Sequence, residues 1–403
     1  MKKILYDVYE WMNNRPERFR TTTSDTAIQL DLISNVHGIS TAYQYFQKLL
    51  DNLKDNRIYG SLLNVYVQAK MREKAETLMD KMMMALYKDL KDQEKIESLI
   101  SEMTEKKVSL DLYTYNIWLT SRGSQGSLEK MEEVFQLMEL NKSINPNWST
   151  FSTMASMYVK SGQIKKADDC LKIIEGRLKS RDRLPYHYLI SLYGSTGNTE
   201  EVYRIWKIYK ASFVNIPNLG YHAVISALVR ADDINGAEKI YDEWLSVKSI
   251  YDPRVGNLIL SFYVRNGLSE KAESFFEQMI GIGGKPNSMT WEIMSEDHIR
   301  NMRVSEALSC LKSAVSVEGQ KNWKPKPVNV CSILKTVEER GDVVSKEALL
   351  GILRQADCYD DAAYMTYIPL LGSGTFACGV SGVESDEGDD GNFVPVDRFE
   401  EKL

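Results

Sequence analysis

The chemistry most legible in this chain is a row of cations. Lys160, Arg230, Arg265 and Arg300 recur, with Ser195 between the first two, in steps of 35 residues. Cations at one fixed spacing suit a ligand whose own charge repeats, and a phosphodiester backbone is such a ligand. The competing account is local, since helix C-termini favour Lys and Arg whatever lies outside them. Other chemistries lack their residues. The four histidines, His37, His187, His222 and His298, include no HxE followed by CxxC, which excludes a cytidine-deaminase zinc site. His187 and His222 are also 35 residues apart, but two histidines without carboxylate or thiolate support read as polar lining residues. Asp168-Asp169 and Asp232-Asp233 fall at helix starts, where acids favour the helix dipole. Gly372 to Gly379 lacks the βαβ context of a dinucleotide loop, and Gly281-Ile-Gly-Gly-Lys285 runs into Pro286 as a turn. No catalytic residue, cofactor or metal site is expected.

The elements that must carry the cations are repeats. Gly162, Gly197, Asp232 and Gly267 are spaced by 35 residues. Before them, apolar residues recur at i, i+3, i+4, i+7: Phe151/Met154/Ala155/Tyr158, Tyr186/Leu189/Ile190/Tyr193 and Tyr221/Val224/Ile225/Leu228. A fourth set, Gly256/Ile259/Leu260/Tyr263, has Gly in the aromatic slot. The spacing returns after them, as in Ala167/Cys170/Leu171/Ile174 and Val202/Ile205/Trp206/Tyr209. That is one face of an α-helix. Each unit is thus two short amphipathic helices hinged at a Gly or Asp, and only stacking on neighbours buries both faces. The predicted fold class is all-α, a solenoid of helix-turn-helix repeats, helical through residues 25–370 and without a sheet.

The rest of the chain extends the array. Residues 1–24 read as a partial repeat that supplies a second helix only, as if a first helix and a leader lay upstream. One unit spans about Asp25–Leu53 with Gly38 as hinge, and another turns at Lys70. Counting back from Gly126 puts the next anchor at Lys91, only 21 residues on, so this repeat near 70–91 is shortened by 14. Nothing between Glu73 and Asp89 ends a helix, which predicts one long helix from about Glu73 to Leu90, with Met82, Met83, Met84, Leu86 and Tyr87 filling the irregular site. Another unit centres on Gly341, and a closing half-unit follows around Asp360–Leu371.

Composition bounds the function. Hydrophobic residues make up 43% and charged residues 26%, as in a globular or solenoid protein. The net charge of −6 arises wholly in residues 384–403, which hold eight acids and two bases, so the body is formally neutral. Residues 371–403 read as an acidic disordered tail. The five cysteines show no CxxC or paired spacing, which fits a reducing compartment. No apolar run reaches 18 residues, so no membrane partner is expected.

Several segments together resemble the pentatricopeptide repeat family. They are Asp111-Leu-Tyr-Thr-Tyr115-Asn116, Tyr158-Val-Lys-Ser-Gly162 with Lys165-Lys-Ala167 behind it, and Lys285-Pro286-Asn287. The likeness covers roughly residues 25–350 and is closest to the plant organellar P-class, which has no catalytic extension. It implies a right-handed superhelix whose first helices line the concave face. It also implies that the residue after each leading aromatic reads one RNA base together with the last residue of its repeat. Here those readers are Asn116, Ser152, His187, His222, Asn257 and Glu292. Their partners are Asn147 for Asn116, Asp182 for Ser152, Asp252 for His222, Asn287 for Asn257 and Lys326 for Glu292, while His187 meets Pro217 or Asn218. The two Asn/Asn pairs fit pyrimidine reading and Ser152/Asp182 leans to a purine; the His and Glu units depart from the pattern. The cation row would be the phosphate contacts.

The resemblance implies a single-stranded RNA-binding protein of organellar RNA processing, stability or translation, mitochondrial or else chloroplast, and without catalysis of its own. The alternative is a protein-protein interaction scaffold on the same solenoid.

Overall fold

The computed structural model describes residues 2–13, 15, 22–49, 56–106, 108–124, 126–178, 182–248, 250–317, 323–358, 361 and 363–364. Every regular element among the described residues is an α-helix, as predicted. The first ten are α1 (Lys2–Asn13), α2 (Thr23–His37), α3 (Ile39–Lys48), α4 (Asn56–Gln68), α5 (Arg72–Asp89), α6 (Gln93–Glu105), α7 (Leu112–Ser124), α8 (Leu128–Leu140), α9 (Trp148–Lys160) and α10 (Ile164–Glu175). They form one compact unit that reaches Arg177, and a second begins at Leu178. The second holds α11 (Leu184–Ser195), α12 (Thr199–Ser212), α13 (Asn218–Arg230), α14 (Ile234–Val247), α15 (Pro253–Arg265), α16 (Ser269–Gly281), α17 (Ser288–Arg300), α18 (Val304–Val315), α19 (Pro327–Arg340) and α20 (Val343–Gln355). The acidic tail at 371–403 lies outside the described residues, as does most of the expected closing half-unit.

The helices pair as hairpins, and the hinges fall on the anchors. Gly126, Gly162, Gly197, Gly267 and Gly341 have φ of 73°, 71°, 73°, 68° and 63°. Lys70, Lys91, Asp232 and Met302 enter the same left-handed region without glycine, at 58°, 55°, 60° and 58°. The closure is of the Schellman type: Gln163, Asp233 and Leu268 donate their N–H groups to the carbonyls of Tyr158, Leu228 and Tyr263. The conformation costs a side-chain-bearing residue about 1 kcal/mol; after Asp232 the next residue, Asp233, caps α14 by accepting from the Gly236 N–H at 2.9 Å.

The apolar columns become the core. Phe151, Met154, Ala155 and Tyr158 are buried, and so are the matching residues of α11 and α13. In the second unit α11, α13, α15, α17 and α19 stack in succession, each also packed on its hairpin partner. Trp244 and Tyr209, from second helices, are fully buried. Cys170 and Cys310 lie in the same column, and burial pushes the Cys170 thiol up to about 12 and the Cys310 thiol up to about 11, which leaves both inert.

The shortened repeat is one continuous 18-residue helix, α5. Its first half gives Ala75 and Leu78 to a core with Leu30, Leu62 and Tyr66. Its second half gives Met84 and Tyr87 to the next core, with Ile96, Leu99, Ile100, Met103 and Ile117. Accordingly α5 packs on α4, α6 and α7, serving as the second helix of one hairpin and the first of the next. The expected crowd of methionines needs correction: Met84 is fully buried, but Met83 is 37% and Leu86 53% exposed. Neither belongs to the two cores that α5 joins.

Candidate nucleic-acid interface

A helix that begins just after an Asn exposes unpaired N–H groups, and the Asn side chain takes one of them. Asn287 caps α17 by accepting from Thr290 N–H at 2.8 Å, and Asn147 caps α9 by accepting from Thr150 N–H at 3.2 Å. These caps are the residues expected to end their repeats, so capping fixes each of them at the start of the next repeat's first helix. Asn257 Nδ2 donates to Asn287 Oδ1 at 3.2 Å, bringing reader and partner together directly. Asn116 and Asn147 meet through Thr150, whose hydroxyl lies 2.8 Å from Asn116 Oδ1 and 3.4 Å from Asn147 Oδ1. Asn116 is half-buried, whereas Asn257 is 8% exposed.

Other members of the column are turned inward or captured. Ser152, also buried, spends its hydroxyl on the Ser149 carbonyl at 2.9 Å. Its expected partner Asp182 accepts from Leu184 N–H at 3.1 Å. His187 is 1% exposed, with one ring nitrogen 3.0 Å from the Tyr209 hydroxyl, and burial lowers its pKa to about 4. Burial also takes His222 down to about 4, against the opposing pull of Asp252. Asp252 is gripped by Arg254 at 2.7 Å and accepts from Asn218 at 3.2 Å. Burial would raise the Asp252 carboxyl, but the Arg254 contacts outweigh it and hold it below the usual range. Glu292 is 2% exposed and accepts from Lys326 N–H at 2.6 Å and Trp323 Nε1 at 3.3 Å. Burial raises its pKa.

Two sets of contributors escaped the sequence reading. One is the fused helix: Lys81, ten residues before its anchor as the other readers are before theirs, pairs with Asp111 at 2.6 Å. The reader slot of that repeat is therefore filled by an internal ion pair. The other is Thr150 and Thr290, whose signal was the Asn-x-x-Thr spacing of a capping box.

Lys160, Arg230, Arg265 and Arg300 are all exposed. Arg300 Nη1 reaches back one repeat to the Arg265 carbonyl at 2.9 Å, and Arg230 Nη2 to Ser191 Oγ at 3.0 Å. The local account thus acquires a form, because Arg300 caps the C-terminus of the previous first helix.

Glu273, Asp297 and His298 bring ligand atoms within 4.8 Å of one another. Arg303 already bridges both carboxylates, at 2.6 and 3.0 Å, and its charge sits where a cation would bind. His298 occupies the column of Tyr158 and Tyr263, which donate to Glu132 and Glu238 of the preceding hairpin. The cluster is an inter-repeat joint.

An all-helical array of hairpins at 35-residue spacing, hinged on left-handed turns and carrying a polar column on its first helices, defines a helical repeat protein. Family models for the pentatricopeptide repeat domain match residues 98–161, and those for the PPR repeat match 57–85, 149–177, 221–247 and 257–284. The pentatricopeptide repeat-containing protein At1g02150 of Arabidopsis thaliana is 52% identical over 376 residues, covering 90% of this chain and 72% of its own. This chain belongs to the pentatricopeptide repeat family. The mitochondrial pentatricopeptide repeat-containing protein At4g21705 is 31% identical, with 88% and 75% covered, and the large ribosomal subunit protein mL101 (rPPR4) is 35% identical, with 87% and 74% covered, both from Arabidopsis thaliana. Among solved structures, the pentatricopeptide repeat protein PPR10 from maize is 16% identical with a TM-score of 0.49, covering 92% of this chain and 57% of that one. No helix among the described residues is long and apolar enough to cross a membrane.

Proposed function

We propose that this chain binds single-stranded RNA, reading one base per intact repeat, and that it acts without catalysis in mitochondrial RNA processing, stability or translation. The observation that carries the reading is the joined amide pair Asn257/Asn287, matched by Asn116/Asn147 through Thr150. Each Asn Nδ2 has two hydrogens, and Asn287 takes one from Asn257, which leaves a donor for a base edge. The exposed cations Lys160, Arg230, Arg265 and Arg300 supply phosphate contacts. The mitochondrial placement follows the relatives that carry that name. Selection from a randomised single-stranded RNA pool tests the reading: the chain should enrich a motif, and Asn257→Ser should change its preference at one nucleotide only. Absence of any enriched motif, with no retained RNA, would remove the proposal.

A protein-docking reading draws on one observation. The reader slots at Lys81, His187 and Glu292 are consumed by contacts inside the protein. If that reading holds, the pool selection returns nothing.

A further inference from the structure

We infer that the third residue of a repeat's first helix is a positioning residue for base reading, setting which edge of the preceding repeat's reader amide is presented. The inference rests on the base-reading proposal and deepens it. Two repeats carry the observation independently. Thr290 Oγ1 donates to Asn257 Oδ1 at 2.8 Å, and Thr150 Oγ1 donates to Asn116 Oδ1 at 2.8 Å. Both threonines are fully buried.

Helix capping by itself does not account for these bonds. It explains why a Thr sits third in the helix, its N–H bonded to the cap Asn. It does not explain a hydroxyl that reaches back 33 or 34 residues to the reader. In α17 the circuit closes, because Asn287 N–H donates to Thr290 Oγ1 at 3.2 Å. With the hydroxyl oxygen accepting there, its proton is directed to the amide oxygens, Asn257 Oδ1 at 2.8 Å being the nearer. A carboxamide accepts on one side and donates on the other. Fixing Oδ1 against the threonine leaves Nδ2 as the presented edge, and that edge selects a base with a carbonyl acceptor.

Of the remaining repeats, those of Glu292, His187 and His222 follow the same logic, whereas after Ser152 the position holds Tyr186, whose hydroxyl meets Ser212. Glu292, a reader that only accepts, has Asn329 Nδ2 at 3.5 Å from the corresponding helix position. The histidine readers His187 and His222 are followed at that position by Gly220 and Val255, which have no side-chain donor. At Gly220 an added Cβ would lie 2.8 Å from the Tyr209 ring, so Tyr209 takes that space and meets His187 instead.

The experiment is RNA selection and binding with the full chain and a randomised single-stranded RNA pool. Thr290→Val replaces the hydroxyl by a methyl of similar size, Thr290→Ser keeps the hydroxyl, and Asn257→Ser changes the reader. Thr290→Val is expected to relax the preference at the one nucleotide assigned to Asn257 by about three- to tenfold, the worth of one net hydrogen bond. Thr290→Ser should retain it. Thr150→Val should act in the same way at a different nucleotide, the one assigned to Asn116, so the test survives the misfolding of one variant. A weaker cap would reduce affinity for all sequences alike, and that result, with preference unchanged, overturns the positioning role. If Asn257→Ser shifts the preference and Thr290→Val does not, the inference falls while base reading stands. If neither Asn257→Ser nor Asn116→Ser moves any nucleotide, base reading falls and takes the inference with it.

Discussion

Protonation of His187 is the residue-scale event with the plainest thermodynamic consequence. Its pKa falls from 6.5 to about 4, because burial opposes the imidazolium and Arg183 adds to the effect. Above pH 6.5 the ring is neutral in both folded and unfolded chains and contributes no pH dependence. Between 6.5 and about 4 the unfolded chain takes a proton that the folded chain refuses, so stability falls as pH drops. The whole shift corresponds to about 3 kcal/mol. Asp252 acts with the same sign at lower pH, since Arg254 holds its carboxyl down and protonation removes that contribution. Urea unfolding followed by tryptophan fluorescence should show His187→Gln flattening the profile from pH 6.5 to 4 relative to the parent. Parallel profiles would deny His187 this role.

At the element scale the long helix α5 is set apart by how little it buries. Of its 18 residues only Ala75, Leu78 and Met84 are buried, whereas nine of the twelve residues of α11 are. Nearest-neighbour interfaces carry most of a repeat array's stability, so a helix shared between two cores and thin in both is a weak link. Amide exchange by mass spectrometry should find α5 less protected than the α11–α12 stretch from Leu189 to Tyr209. Equal protection would show that two half-interfaces hold as well as one full hairpin. Here the sequence was largely legible. The absence of a helix terminator between Glu73 and Asp89 predicted the fusion, and helix termination is local chemistry. Which methionines faced the core was not legible, because that depends on where α4, α6 and α7 come to rest against α5.

For the whole molecule the distinguishing quantity is salt dependence. The formally neutral body and the −6 of residues 384–403 make long-range attraction to RNA weak, so the proposed binding would have to come from discrete contacts. If Lys160, Arg230, Arg265 and Arg300 each meet a phosphate, the log–log slope of affinity against salt should be roughly −3, at about 0.7 per contact on a single strand. Arg265→Ala should reduce the slope by about 0.7 and weaken all sequences alike, whereas Asn257→Ser should leave the slope and change one base. A slope near zero in a chain that still selects a motif would leave the cation row as helix caps, of the kind Arg300 already makes on the Arg265 carbonyl.

The sequence by itself determined the hairpins, their hinges and, outside α5, most of the residues facing the core. Each of those depends on side chains within one or two turns of helix, and on whether one residue tolerates a left-handed backbone. It also set the expected reader and the last residue of a repeat in register, and Asn257 and Asn287 lie within hydrogen-bond reach of each other. What only the tertiary structure decided is which members of the column are left with something to offer. His187 and Asn257 are equivalent by count, yet one meets Tyr209 and the other Asn287. The difference is made by Gly220 and Thr290, at equivalent helix positions 33 residues further along, and by the side chain that fills the space at each. Helical periodicity is a property of neighbours along the chain, whereas the orientation of a polar side chain is settled by whichever group arrives across the interface to bond it.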